Sequence, residues 1–191
     1  MAPRGAGPAP AAAEDVMIEL PPAPSWDGLH PLIVHFPVAL LLVAPVIVLL
    51  ALVIRAHRRG LLLAALALMV LGTAASWVAV STGEAAGKLA DRSPEVNAVL
   101  EHHEELAETT RLVFTVLTAV FAALVLAPVA LKREPGEVAT IGVAVLFLAV
   151  YGAGTLVLAN TAHNGGRLVH ELGVRALMPS APLPAAEAEK D

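Results

Sequence analysis

The chain has 191 residues, with 12 basic against 17 acidic ones, and is 57% hydrophobic but only 15% charged. A soluble domain carries about 25% charge, so this balance reads as membrane protein, a reading that the charge-free runs below establish where composition alone does not. With no cysteine, disulfides, thiolate zinc sites, cysteine-held iron–sulfur clusters and covalent c-type haem are excluded.

Taken in order, residues 1–26 are rich in Ala and Pro and lack an apolar core, so they read as a disordered tail and not as a signal peptide. Trp26 sits where an aromatic membrane-interface anchor belongs. Residues 36–54, 61–80, 112–131 and 138–159 then contain no Asp, Glu, Lys or Arg. Each is near the roughly 20 residues that carry a helix across about 30 Å of hydrocarbon. Lipid offers the backbone no partner, so each run must be helical. The expected fold is an all-α, four-transmembrane-helix bundle over 27–175, with spans near 31–55, 61–81, 108–132 and 137–160. A second Ala/Pro-rich disordered tail is expected over 176–191.

Span one opens on Leu29-His30-Pro31 and Val34-His35-Phe36-Pro37. Pro37 and Pro45 each remove a backbone hydrogen bond, which predicts a bend just past His35. The span ends at Arg55-Ala56-His57-Arg58-Arg59, a short basic turn. Span two returns with a small-residue patch from Gly72 to Ser76 that invites close helix approach. The polar stretch 81–110 contains Ser93-Pro94-Glu95, a helix start. From there one helix can run through His102 and His103 into span three, which gives that helix an extended outer half. Lys132-Arg133 makes a second basic turn. Span four, with Gly142, Gly152 and Gly154, is a packing helix expected to leave the membrane at Asn160.

Charge sets the sidedness. The two turns hold five basic against two acidic residues, and the remainder holds seven against fifteen. Short basic loops stay cytoplasmic, so both termini and the 81–107 loop are expected outside, in a bacterial cytoplasmic membrane. The two halves look like similar hairpins, with His35 and His103 in corresponding places ahead of the inward spans.

This topology gathers His30, His35, His102, His103, His163 and His170 on the outer side and leaves only His57 at the inner turn. Facing helices of a four-helix bundle build cofactor sites, and neutral imidazole ligates haem iron, zinc and copper. His35 and His103 are the preferred ligands and His163 the third; His30 and His102 are further candidates, and His170 a weaker one. Other chemistries lack their motifs. There is no Glu-x-x-His pair for di-iron, no His-Glu-x-x-His, no P-loop and no Gly-x-Ser-x-Gly elbow. The four charge-free runs carry no ionisable residue except Tyr151, which weakens a transporter reading. What stays compatible is b-type haem, or a copper or zinc site. The rival is a structural membrane protein whose histidines only order the outer cap, and a periplasm-facing zinc enzyme is a third reading. The acidic tails argue against nucleic acid. The lipid bilayer and a membrane or periplasmic redox partner are the expected contacts, for an electron-transfer or cofactor-binding subunit more than an enzyme.

Leu29-His30-Pro31, Val34-His35-Phe36-Pro37, Thr82-Gly83-Glu84, His103-Glu104-Glu105-Leu106-Ala107 and Gly165-Gly166-Arg167-Leu168-Val169 together resemble the bacterial predicted membrane protein family, domain of unknown function 2231. The resemblance covers about Leu29 to Val174. It implies four spans, with motif positions at His30, His35, His103 and His163. Fusion of some members to Rieske or cytochrome c modules implies a redox setting. After Gly-Gly-x-Leu-Val the family tends to show Tyr and then His, where this chain has His170 and Leu172.

Overall fold

A computed structural model describes residues 23–133 and 136–174. The tail expected over 176–191, and residues 1–22 of the other, lie outside the described residues. The chain forms α1 His30–Ile33, α2 His35–Val53, a 3-10 turn Arg55–His57, α3 Arg58–Gly87, α4 Pro94–Ala130 and α5 Glu137–His170. No strand occurs among the described residues. Together α1 and α2 make the first of four helical segments long and apolar enough to cross a membrane; α3, α4 and α5 are the others. Large apolar side chains such as Phe36, Leu49 and Leu146 point outward along these segments, as lipid-facing residues do.

Two prolines shape span one. Pro37 has no N–H for the carbonyl of Ile33, and the helix is interrupted at Val34, before His35 where a bend after it was expected. Pro45 lies inside α2 without ending it, but it leaves the Leu41 carbonyl without its helical donor. Tyr151 of α5, 1% exposed, supplies the missing bond by donating its hydroxyl to that oxygen at 2.7 Å.

Ser93 caps α4 as its side chain suggests, accepting from the N–H of Val96 at 3.2 Å, with Pro94 as the first helical residue. The helix then runs without a break past His102 and His103. Span four departs from expectation, because α5 does not stop at Asn160 but continues to His170. Its polar Asn160 and Asn164 turn back onto carbonyls one turn earlier at 2.9 Å each. Beyond them Leu168 packs with Val96, Val99 and Leu100, so tertiary burial carries the helix through a stretch whose composition reads as a loop.

The helices pack as two hairpins, α2 on α3 and α4 on α5, joined along α3 and α4 and, less extensively, along α2 and α5. A Cβ on Gly72 would stand 2.8 Å from Leu41 Cγ, so only glycine allows α2 and α3 to approach so closely here. Thr73 and Thr118 share a 2.8 Å hydroxyl bond between α3 and α4. Leu41, Met69, Phe114, Phe121, Phe147 and Tyr151 fill the main core. At the basic end, Arg58 grips Glu137 with two bonds of 2.8 and 2.9 Å, and Arg55 meets the same carboxylate at 3.3 Å. At the opposite end Val96, Val99, Leu100 and Leu168 form a second, smaller core. A cavity lies between the two cores, bordered by Leu158 and Val38 on one side and Leu100 and Leu168 on the other.

Candidate functional site

His30 opens α1, and its ring lies over Gly83 of α3. Its Nδ1 is 2.9 Å from the Ala79 carbonyl and 3.2 Å from Thr82 Oγ1. A carbonyl only accepts, so Nδ1 carries the hydrogen. The Thr82 hydroxyl gives its own hydrogen to Val78 and Ala79, at 3.0 Å each, and can accept from the imidazole. The tautomer is therefore assigned from the network, and Nε2 keeps its lone pair.

His103 repeats the arrangement on the second hairpin. Its Nδ1 gives its hydrogen to the Thr161 carbonyl at 2.9 Å, and its ring lies over Gly165 of α5. Thr161 is steadied by a 2.8 Å bond from Thr110. In each hairpin the accepting carbonyl lies one turn before the glycine, and a buried polar residue, Thr82 or Asn164, immediately precedes that glycine. A Cβ on Gly83 would come within 2.8 Å of His30 Cε1, and one on Gly165 within 3.0 Å of His103 Cε1. The sequence suggests His35 as the counterpart of His103; by this geometry the counterpart is His30.

Both imidazoles line the cavity of about 800 Å³ between the two cores. Much of the wall is glycine and alanine, including Ala86, Gly87, Ala107, Ala162 and Gly166. Asp27, Glu84, Glu104 and Glu108 also border it, and no Lys or Arg does so among the described residues. Backbone carbonyls that fix Nδ1–H and leave Nε2 free are the usual outer support of an imidazole ligand.

Residues 27–177 match the model of a family described as predicted membrane protein (DUF2231). The chain belongs to this family. No curated protein and no solved structure matches it.

Within this DUF2231 chain the remaining histidines separate clearly. His35 borders the cavity, although it is exposed, and His170 borders it from the end of α5. His102 and His163 are exposed and do not line the cavity. His163 fails to join because α5 stays helical there, and the helix that seats His103 on Gly165 turns His163 aside. The set of His35, His103 and His163 therefore does not gather around the cavity, and no group of three or more His, Asp or Glu is placed to hold a metal ion among the described residues. Sequence reasoning passes over Gly83, Gly165 and the two carbonyls as parts of the site. The signal that could have found them is the recurrence of Thr82-Gly83 and Asn164-Gly165 at the ends of the two return helices.

Proposed function

We propose that this DUF2231 membrane protein is an electron-transfer subunit that holds b-type haem between His30 and His103. The observation that carries the reading is the matched state of the two imidazoles. Each is fixed through Nδ1 to a backbone carbonyl, and each keeps Nε2 free on one shared cavity. Haem iron takes four equatorial nitrogens from the porphyrin, so two protein ligands complete it. Zinc in a protein site needs three or four ligands from the chain, and no such group is formed among the described residues. The donor set thus fits haem better than a bare ion. The cavity fits in size and in its small apolar walls. Its acidic border leaves His35 and His170 as the side chains able to donate to propionates. Bound there, haem would supply one-electron transfer near one face of the bilayer. The five basic residues of the two turns support placing the histidine end outside the cytoplasm of a bacterial inner membrane.

One observation favours a purely structural role. Each imidazole bond also ties the two helices of its own hairpin. Asparagine separates the readings, because its amide N–H can replace Nδ1–H but its side chain offers no Nε2. His30→Asn and His103→Asn proteins, purified in detergent, should fold but lose the haem absorption band near the visible edge, while His163→Asn keeps it. Wild-type protein that is colourless when made with ample haem would refute the proposal.

A further inference from the structure

The opposite end of the bundle carries a second cavity, and it has a different character. It is about 490 Å³ in volume and opens between the ends of α4 and α5, with Val48, Leu52 and Leu62 behind it. Its existence follows from local sequence. Ala123 and Ala127 on α4 and Ala139 and Ala144 on α5 all line it, and four methyl groups do not fill the space between two helices. Pro128 lies in the same stretch, and α4 ends just beyond it, with Lys132 in the left-handed region at φ 50°. Small side chains thus leave open a space that larger ones would have closed.

Hydrocarbon does not leave such a space vacant, because an interior packs to the density of an organic crystal. Everything lining the cavity is apolar except Arg58, Arg133 and Thr140. The two arginines belong to the turns that hold five basic against two acidic residues. The Arg58 guanidinium is already fixed, by Glu137 and by the Ala51 carbonyl at 3.3 Å. Arg55 shares that same carboxylate, so the cluster keeps a net positive charge.

We infer that this cavity is a binding site for an anionic glycerophospholipid of the leaflet at the basic end. One acyl chain occupies the slot between α4 and α5, and the phosphate meets the arginine cluster at its edge. Chain volume explains the apolar walls, and charge complementarity selects the headgroup. The site is independent of the histidine end and of any cofactor.

The test uses the full chain in mild detergent, with phosphatidylglycerol and phosphatidylcholine of identical acyl chains supplied at equal amounts. Retained lipid is counted by native mass spectrometry. Wild type should retain phosphatidylglycerol in preference by about fivefold for each cation the phosphate meets. Ala127→Trp, which fills the slot from an exposed position on its wall, should abolish that retention. Arg133→Gln should lower the preference while leaving the fold intact. Equal retention of the two lipids by wild type overturns the inference. Retention by Ala127→Trp at the wild-type level, or an Arg133→Gln preference equal to wild type, does so too.

Discussion

His30 and His103 stand in equivalent places on two different hairpins, each donating Nδ1–H at 2.9 Å to a carbonyl one turn before the glycine beneath its ring. The equivalence is of environment more than of sequence. His30 begins a short helix ahead of the first span, and His103 lies inside a helix of 37 residues.

The glycines beneath the rings give the first prediction. Gly83→Ala or Gly165→Ala would place a methyl 2.8 or 3.0 Å from an imidazole carbon, so the ring must shift away from its carbonyl. If haem is held as proposed, each variant should retain less of it and show an altered absorption band. Alanine favours the helix by about 1 kcal/mol over glycine, so the global fold should survive. Gly152→Ala, on α5 but away from the cavity, meets nothing within 4 Å and should leave the spectrum unchanged, which makes it the matched control.

Tyr151 and Pro45 should behave as a compensating pair. Tyr151→Phe strands the Leu41 carbonyl in the core and should cost about 1–3 kcal/mol of stability. Pro45→Ala restores the helical N–H that Leu41 lacks, so the double variant should recover much of that loss. Unfolding measured in mixed micelles for the two single variants and the double variant reads this directly.

Close packing of α2 on α3 depends on Gly72. Gly72→Ala should cost about 1–3 kcal/mol, since the new methyl meets Leu41 and Leu40 at 2.8 to 3.2 Å and the core must move. Gly142→Ala has open space and should be neutral or stabilising by up to about 1 kcal/mol. Thermal melts of the two variants in one detergent distinguish them.

Sidedness can be checked without interference, because the chain has no cysteine. Glu101→Cys should react with a membrane-impermeant maleimide in intact cells. Ala56→Cys should react only after lysis. The reverse pattern would invert the orientation drawn from the basic turns.

Much of this fold is legible in the residues. Four charge-free runs set four crossings, Arg55–Arg59 and Lys132-Arg133 mark one end, and Ser93-Pro94 fixes where the extended helix begins. The site is legible only in part. Hydropathy reports depth along a helix but not the direction in which a side chain points, so His163 and His103 seem equally suited to one pocket until the rotation of α5 is known. That rotation depends on α5 staying helical through Asn160-Thr161-Ala162-His163-Asn164-Gly165-Gly166, where local composition argues for a loop and packing of Leu168 prevails. Nothing in the sequence sets His30 above His35, because the partner that distinguishes them, Gly83, is on another helix and carries no side chain.

The bond from Tyr151 to Leu41 has a bearing on how the protein is made. Pro45 enters the bilayer with the first crossing, whereas Tyr151 arrives with the last. Until then the nascent first hairpin holds a bare oxygen in oil, an incomplete object that insertion machinery or a neighbouring helix must shelter. Biogenesis of this bundle therefore ends, in chemical terms, only when the final segment reaches back to the first.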